Sequence, residues 1–364
     1  MITNPRDRIT TTQASLMIMN YLIAVGSITL PRIVAETVGT VDAWISVILG
    51  GFLALLGGYI VGKLSLRFHD QTFFEFNQSI VGKLLGILLS LMMIIYFIGY
   101  AGYEARLMSE VIRMYVLDQT PIEVVILVFM GVSTYLVAGG INPIARICEL
   151  FFPGIFFILL VTLLLSIRDF EVDNLRPVLA KGLMPVLTGI QSTILPFLGF
   201  EIMLIFTSFM KHPNQVIKST LVGISVVIPI YTLIVVMTIG NLTLEEVKTL
   251  TWPLMSLAMS FELPGGFFER LESLLVLIFV MYMFTTFFIA QYIASLGLAQ
   301  LFRKKISYFI YGLFPCIYWV AMYPDDLNNA FNVGEYLSYG GMFLAGVMPL
   351  LLWLIAKARR IGNE

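Results

Sequence analysis

A glutamate lies deep in an apolar stretch of the sequence, close to a glycine and a proline. The stretch is Leu195–Glu201, which reads LPFLGFE. An ionisable side chain inside a membrane is costly and is by default a functional candidate. Glu201 can bind a ligand ammonium, take up a proton or hydrogen-bond to unwound backbone. In a purely structural role it would cap the half-helix that begins at this point.

A second stretch near the N-terminus combines the same residue types. Ala24–Pro31 holds Gly26, two hydroxyl residues and a proline. Glycine permits unwinding of a helix and proline removes a backbone donor, and unwound backbone is tolerated in a membrane only beside a cavity or buried protein. Freed amides bind a carboxylate, and freed carbonyls bind an ammonium or a cation. Together the two breaks suit a zwitterionic amino acid, whereas either one alone is explained by a kink.

Hydroxyl groups on two further apolar segments are candidates for the walls of such a site. Tyr96, Tyr100 and Tyr103 share one helix face and either line a pocket or form an aromatic belt at the membrane surface. Thr285 and Thr286 either meet a ligand or bond back to carbonyls of their own helix. The sequence leaves both pairs of alternatives open.

Arg106, Glu110 and Arg113 have i, i+4, i+7 spacing, which predicts a paired charge ladder that anchors the helix at the membrane surface.

The sequence offers neither a metal site nor the motifs of an enzyme. His69 and His212 have no metal-ligand spacing around them, so we expect no metal and no cofactor. The sequence contains no nucleophile motif, phosphate loop or dinucleotide fingerprint, and we expect no enzyme activity.

The composition requires lipid as the solvent. Hydrophobic residues make up 59% of the 364 residues and charged residues 12%, against roughly 25% charged in soluble domains. Without a basic stripe or tail, no nucleic-acid partner is expected. Cys148 and Cys316 both fall in apolar stretches, so they are expected to be buried packing residues and not a disulfide framework.

The elements that must position these residues are transmembrane helices, each of about 20 mostly apolar residues. About ten candidates are present, and the polar break after the fifth divides them into an all-α 5+5 inverted repeat whose first and sixth helices are broken. We expect one transmembrane domain over 1–364, with repeats at 1–167 and 184–357. The predicted spans are 10–32, 43–64, 84–112, 122–139, 143–167, 184–209, 216–239, 267–299, 305–323 and 333–357.

Two mixed segments and the placement of positive charge complete the predicted topology. Segment 72–83 is predicted to be an interfacial helix, and segment 243–262 a surface helix or partly re-entrant loop. Lys and Arg are about twice as numerous on one side of the ten spans as on the other, which predicts that both termini are inside.

Short stretches along nearly the whole chain resemble the GerAB-like spore germination permeases. These are the B subunits of bacterial spore germinant receptors, within the amino acid–polyamine–organocation transporter superfamily. The Phe-Leu-Gly-Phe-Glu stretch is common to the wider superfamily, whereas Asn-Leu-Arg-Pro-Val-Leu and Phe-Glu-Arg-Leu-Glu-Ser resemble the germination branch. The matching stretches are 29–32, 103–106, 174–179, 197–201, 246–250, 252–253, 268–273, 284–287 and 324–326.

The resemblance implies a LeuT-like fold and a subunit that senses a small nutrient, usually an amino acid, in the spore inner membrane. It implies A and C receptor subunits as partners, alongside membrane lipid and the germinant. The first break departs from the family, because Ala24 and Val25 stand where family members often place glycine, which leaves Gly26 alone. The expected pocket combines the positions implied by the resemblance with Glu201, whose burial in an apolar stretch makes it a candidate in its own right. It comprises Ala24, Val25, Gly26, Tyr96, Tyr100, Leu198, Gly199, Phe200, Glu201, Thr286 and Ala290.

The alternative to a sensor is a proton- or cation-coupled amino acid transporter. A coupling ion needs a binding site, and 151–165 in the fifth span offers only the hydroxyl of Thr162. This weakens the transporter hypothesis, although Glu201 or Glu104 can carry a proton.

Overall fold

The computed structural model describes residues 8–260 and 271–362, with all of their side chains except those of Val25 and 271–274. In this part of the chain the regular secondary structure is helical, apart from a single β-bridge between Ile9 and Met210. The α-helices are α1 (Thr11–Val38), α2 (Ala43–Arg67), α3 (Phe73–Val81), α4 (Lys83–Tyr115), α5 (Ile122–Ala138), α6 (Ile141–Leu165), α7 (Met184–Gly189), α8 (Ile194–Phe197), α9 (Met203–Phe206), α10 (Val216–Leu242), α11 (Leu244–Thr249), α12 (Pro253–Met259), α13 (Leu271–Phe302), α14 (Ile306–Met322), α15 (Leu327–Gly341) and α16 (Met348–Ala358).

Long apolar helices account for the predicted spans. Among the described residues, six helices are long and apolar enough to cross a membrane, with 327–358 counted as one across a π-helical turn. Two bent helix pairs, in α1 and in 184–209, pass the same test together. The shorter apolar helices α5 and α14, of 17 residues each, correspond to the two remaining predicted spans.

The broken helix α1 lies in the interior, where it packs against α10, α13 and α6. Helix α13 lies along α4 and is the most enclosed of the long spans, with 78% of its apolar window buried, against 28% for α6. The apolar surface of α6 therefore faces lipid, while α1 and α13 form the core that positions the candidate site.

The N-terminal end of α1 is joined by hydrogen bonds to the C-terminal end of the sixth span. The backbone N–H of Ile9 donates to the Phe209 carbonyl at 2.8 Å, and the N–H of Lys211 donates to the Ile9 carbonyl at 2.8 Å. The Arg8 guanidinium adds a bond to the Ser208 carbonyl at 3.2 Å. The two broken helices are thus joined at this end of the molecule.

The short helices depart in part from the sequence-based expectation. Helix α3 confirms the short element predicted at 72–83. Segment 243–260 forms α11 and α12, which pack inward against α1, and Trp252 between them is buried against Phe331 at 5.6 Å between ring centroids. The segment is therefore part of the folded core and not a simple surface helix.

One of the two cysteines is placed differently from the prediction. Cys148 is buried, as expected, but Cys316 is exposed on α14. The expectation failed because an apolar stretch that crosses a membrane presents one face to lipid, so an apolar neighbourhood in the sequence does not imply burial in the protein.

Candidate functional site

Helix α1 breaks at Ala24, as the glycine and polar residues of this stretch predict. Ala24 has φ −37° and ψ −117°, and the halves Thr11–Ala24 and Gly26–Val38 meet at 50°. Ser27 Oγ donates to the Ala24 carbonyl at 2.8 Å. Backbone groups released by the break are thus partly satisfied by side chains, which is the condition for irregular backbone at membrane depth.

The sixth span breaks at the second predicted position. The halves 184–197 and 200–209 meet at 45°, with Leu198 extended and Gly199 at φ +142°. That φ strongly favours glycine, and a Cβ on Gly199 would lie only 2.6 Å from Tyr21 Cδ1. Both the backbone angle and the close approach of the first span therefore require glycine here.

Glu201 holds the second break together. It has no exposed surface, and its Oε2 accepts the Gly199 N–H at 2.7 Å while its Oε1 accepts the Tyr96 hydroxyl at 3.1 Å. Of the roles open from the sequence, the hydrogen bond to unwound backbone is the one present in this structure. The same carboxylate joins the sixth span to α4.

A tyrosine that the sequence analysis did not single out connects the two breaks. The Tyr231 hydroxyl in α10 donates to the Leu22 carbonyl of the first span and lies 3.3 Å from the Pro196 carbonyl of the sixth. A Cβ on Gly26 would lie 2.2 Å from the same hydroxyl, so Gly26 makes room for this link. No motif in α10 indicates this contact, because its partners are about 35 and 209 residues away in the chain.

Aromatic rings of α4 form one wall of the site. Tyr100 stacks on Tyr21 with ring centroids 5.4 Å apart, and Tyr96 and Tyr103 lie beside Tyr100 at 5.8 and 6.2 Å. All three residues of α4 are buried. Their burial contradicts the aromatic-belt alternative, and Tyr100 and Tyr103, but not Tyr96, line the cavity described below.

Of the two threonines of α13, one bonds back to its own helix and the other also lies beside the first span. Thr285 Oγ1 bonds back to the Tyr282 carbonyl of its own helix at 2.6 Å. Thr286 Oγ1 instead lies 3.5 and 3.4 Å from the carbonyls of Asn20 and Tyr21, next to the first break, as well as 3.4 Å from the carbonyl of Tyr282. Ala290, one turn further along α13, is buried.

The side chains of the remaining predicted site residues point in different directions. Leu198 packs towards Gly341 in the tenth span, where the Tyr96 hydroxyl also lies close. Phe200 is directed at Gly57 of α2. Ala24 is buried within the first break, and the side chain of Val25 lies outside the described residues. The stretch 268–273 also falls outside the described side chains.

Of the charge ladder predicted on α4, the described residues form the Arg106–Glu110 pair and no ion pair with Arg113, and Arg106 is buried. Arg106 Nη2 contacts Glu110 Oε1 at 3.0 Å and the Asp325 carbonyl at 3.4 Å, with Arg106 only 5% exposed. The ladder therefore ties α4 to the loop before α15 and does not simply anchor it at the membrane surface.

A cavity of about 510 Å³ opens above the breaks, within the range of small-molecule sites. Of the predicted site residues, Gly26 and Tyr100 line this cavity. Its walls come from the second half of α1, the first half of the sixth span, α4, α15 and Thr251 before α12, and we call this cavity the vestibule. It is lined by Gly26, Thr29, Arg32, Ile33, Glu36, Thr37, Tyr100, Tyr103, Gln191, Ser192, Leu195, Pro196, Thr251, Asn328, Phe331, Asn332, Gly334, Glu335, Ser338 and Tyr339.

Comparison with protein families matches residues 8–330 to the family described as "Spore germination protein". The chain belongs to the spore germination protein family. It is 42% identical to spore germination protein YndE of Bacillus subtilis over 361 residues, which covers 99% of each chain. It is 34% and 32% identical to spore germination proteins A2 and B2 of the same organism, over 98% of this chain in both cases and 98% and 97% of theirs.

Solved structures show the fold of this spore germination protein. MhsT in complex with L-phenylalanine has a TM-score of 0.74 at 12% identity, and Mhp1, a nucleobase-cation-symport-1 family transporter in a closed conformation with bromovinylhydantoin bound, has 0.64 at 10%. Each match covers 98% of this chain and 97% of the other. The protein therefore has the LeuT-like fold, and its long apolar helices are those of a multi-pass membrane protein.

Family and fold together assign this spore germination protein a germinant-sensing or transporter role. The breaks and Glu201 were found from residue types alone. Tyr21 and Tyr231 were missed, because a tyrosine in an apolar helix carries no local mark of the long-range contact that it makes.

Proposed function

We propose that this protein is the nutrient-sensing membrane subunit of a spore germinant receptor and binds a small amino-acid-like germinant at its two broken helices. The observation that carries the proposal is the meeting of two interrupted helices beneath an open cavity, with the freed backbone of both held by Tyr231, Thr286 and Glu201. Such a junction concentrates donors and acceptors in a water-poor site, where they discriminate strongly between ligands.

The chemistry of the junction favours a zwitterion. Backbone carbonyls of Asn20 and Tyr21 and the carboxylate of Glu201 are acceptors suited to an ammonium. The N-terminus of the half-helix after Gly199 attracts a carboxylate. An amino acid carries both groups a few ångströms apart, and the structural relative MhsT was solved with L-phenylalanine.

The germinant would select one arrangement of the broken helices, and the change would pass to partner subunits of the A and C type. Such coupling requires a ligand that binds two states with different affinity, typically by about 1–3 kcal/mol. We place the protein in the spore inner membrane with both termini inside, since Lys and Arg are about twice as frequent on that side. We also assign 1–167 and 184–357 as the inverted repeats, because each begins with a broken span.

A thermal-shift screen of the purified chain in detergent against the twenty amino acids, several sugars and nucleosides tests the binding. A ligand of the folded state raises the unfolding midpoint by mass action. We expect a shift with one or a few small amino acids. A shift with sugars or nucleosides alone overturns the ligand class, and no shift with any compound, repeated on the complex with A and C subunits, overturns the sensing site.

The transporter alternative has its own readout. Proteoliposomes that contain this chain alone are loaded with buffer and given the radiolabelled amino acid that shifts the midpoint. A sensor binds it without accumulating it, so uptake stays at the level of empty vesicles. Uptake that follows an imposed proton or sodium gradient identifies a coupled transporter instead.

A further inference from the structure

Two neighbouring helices present the same arrangement of a lysine and an aromatic ring on their outer faces. On α2, Lys63 Nζ lies 5.5 Å from the ring centroid of Tyr59, and on α16, Lys357 Nζ lies 5.3 Å from the ring centroid of Trp353. In both helices the lysine follows the aromatic residue by four positions, so each ammonium lies over a ring of its own helix. The proposed germinant site uses neither lysine.

Each of these helices also exposes an apolar stripe that leads up to its lysine. On α2 the stripe contains Phe52, Leu56 and Tyr59, which are 61%, 58% and 42% exposed. On α16 it contains Leu350 and Leu354, which are 38% and 47% exposed. Residues spaced by three and four positions share one helix face. In a chain whose long apolar helices cross a membrane, such a face lies against acyl chains.

The two lysines lie at the same height because the ends of α2 and α16 are joined. Arg67 is one helical turn beyond Lys63, and its Nε donates to the Ile361 carbonyl at 2.5 Å. Ile361 follows Lys357 by four residues. The two helices pack against each other, and both reach this end of the molecule with their C-termini. Each lysine therefore lies about one turn from the same contact, at the edge of one lipid-facing surface.

The segment after α16 is held against α2 and α3. Arg359 Nη1 donates to the Ile80 carbonyl of α3 at 2.9 Å. The chain then turns at Arg360, which has φ +52°, and passes so close to α2 that a Cβ on Gly362 would lie 2.8 Å from Arg67 Cγ. The basic residues at this end are therefore held on a fixed backbone and not on a free tail.

These cations have no carboxylate partner in the described part of the chain. The ion pairs within 8–260 and 271–362 involve none of Lys63, Arg67, Lys357, Arg359 and Arg360. The carboxylates of the adjoining segment 68–75 have other contacts, because Asp70 lies 3.3 Å from His69 Nε2 and Glu75 accepts the Thr72 N–H at 3.1 Å. Positive charge of this kind beside a membrane attracts an anionic headgroup.

We propose that the outward faces of α2 and α16 form a binding site for one anionic phospholipid, whose phosphate lies between Lys63 and Lys357 and whose acyl chains lie on the two apolar stripes. We call it the α2–α16 surface. The opposite face of α2 contacts the second break, because Phe200 is directed at Gly57. The lipid thus lies behind a helix that supports the germinant site. The inference does not depend on which ligand the breaks bind.

Titration of the delipidated chain in detergent tests the site. The probes are phosphatidylglycerol, phosphatidylcholine with the same acyl chains, and glycerol 3-phosphate, which has the anionic headgroup without chains. We expect phosphatidylglycerol to raise the unfolding midpoint and one molecule of it to be retained in native mass spectrometry, whereas the other two probes have little effect. An equal shift with both lipids, or a shift with glycerol 3-phosphate alone, overturns the proposal.

Substitution of the two lysines locates the binding. Lys63→Gln combined with Lys357→Gln should raise the apparent dissociation constant of phosphatidylglycerol about tenfold, because each cation beside the headgroup contributes to its attraction. Lys63→Arg combined with Lys357→Arg should retain binding, since a guanidinium also pairs with a phosphate. An unchanged dissociation constant in the double glutamine variant overturns the site.

Lys304→Gln combined with Lys305→Gln is the matched control. It removes the same charge from two exposed residues in the loop after α13. This loop lies at the same end of the molecule, because Thr72 before α3 donates to Gln300 at the end of α13. The control should leave the dissociation constant nearly unchanged. An equal loss in the control and in the double variant at 63 and 357 would reduce the effect to general surface charge and overturn the site.

Crosslinking identifies what covers the α2–α16 surface in a membrane. A benzophenone side chain in place of Leu56 is activated by light in membranes that contain the chain with A and C subunits. We expect attached lipid that is richer in anionic phospholipid than the membrane as a whole. Attachment to a protein subunit overturns the lipid assignment. None of these readouts involves an amino acid, so their failure leaves the proposed function to the thermal-shift screen described above.

Discussion

Glu201 in the sixth span and Glu104 in α4 are both carboxylate residues without exposed surface. Glu201 accepts two protein hydrogen bonds, from the Gly199 N–H and the Tyr96 hydroxyl. Among the residues that the structure describes, neither oxygen of Glu104 has a protein donor within hydrogen-bond distance. Both side chains are thus fully buried in the protein, but their surroundings differ.

Equal burial does not imply an equal contribution to stability, because the contribution depends on the hydrogen bonds that each carboxylate accepts. A polar group left without a partner costs about 1–3 kcal/mol, whereas a paired one contributes about 0.5–1.5 kcal/mol. Glu201 therefore acts as part of the scaffold that shapes the break. Within the described ranges, 8–260 and 271–362, Glu104 contributes no protein hydrogen bond to that scaffold, although it lies within electrostatic reach of Tyr21, Tyr100 and Tyr103. Removing the two carboxylates should have opposite effects on stability.

The largest effect is expected from Gly199→Leu, which destroys the geometry that Glu201 supports. The substitution places a side chain at φ +142° and within 2.6 Å of Tyr21. Backbone strain and overpacking each cost about 1–3 kcal/mol. We expect amino-acid thermal shifts, and germination followed by the optical density of a spore suspension, to be lost.

Gly131→Leu is the matched control for that substitution. It makes the same change at an exposed α5 glycine that has open space around its Cβ position. The control should bind and germinate as the unmodified protein does. Normal germination by Gly199→Leu at ordinary germinant concentration would contradict the assignment of the binding site to the sixth-span break.

A smaller loss is expected when the Glu201 side chain is truncated. Glu201→Ala leaves the Gly199 N–H and the Tyr96 hydroxyl unpaired, at about 1–3 kcal/mol each, and the unfolding midpoint in detergent should fall. Glu201→Gln keeps a carbonyl acceptor and should be milder. Equal losses in midpoint and in germinant response for the two variants would mean that the negative charge, and not the hydrogen bonds, is what matters.

Tyr96→Phe probes one bond of the same carboxylate. The variant removes the hydroxyl that donates to Glu201 at 3.1 Å and keeps the ring beside Tyr100. We expect a loss of about 0.5–1.5 kcal/mol in the free energy of unfolding. In a double-mutant cycle with Glu201→Ala the two losses should not add, and strict additivity would contradict the contact.

The smallest effect on stability, and one of opposite sign, is expected from Glu104→Leu. The change replaces a carboxylate that lacks protein donors with an apolar side chain in an apolar setting, so the unfolding midpoint should stay constant or rise. Glu201→Leu is the matched comparison and should lower the midpoint. A fall of similar size in both variants would show that Glu104 is held as firmly as Glu201, and the contrast between them would disappear.

The breaks could be predicted from the sequence because their causes are local. Glycine and proline at 24–31 and 195–201 determine where the backbone leaves the helix, and Glu201 stands two residues beyond the glycine whose N–H it accepts. The run of apolar segments likewise gave the number and order of the spans, since each must cross the same thickness of hydrocarbon.

The remaining features depend on contacts between distant parts of the chain. The Tyr231 link to Leu22, the inward packing of Trp252 and the exposure of Cys316 follow from which face of a helix meets protein and which meets lipid. An apolar helix that is hydrophobic all round carries no periodicity from which to determine that face. The vestibule could not be predicted for the same reason, because its walls come from five separate segments.

The pairing of Ile9 with Phe209 and Lys211 has a consequence for the order of synthesis. The partners are about 200 residues apart, and at roughly 5–20 residues per second the ribosome needs about 10–40 s to make the intervening chain. During that interval the N–H and carbonyl of Ile9 lack their partners on Phe209 and Lys211, and the first span enters the bilayer before these hydrogen bonds can form. This bridge can therefore form only after residues 209–211, in the second half of the protein, have been synthesised.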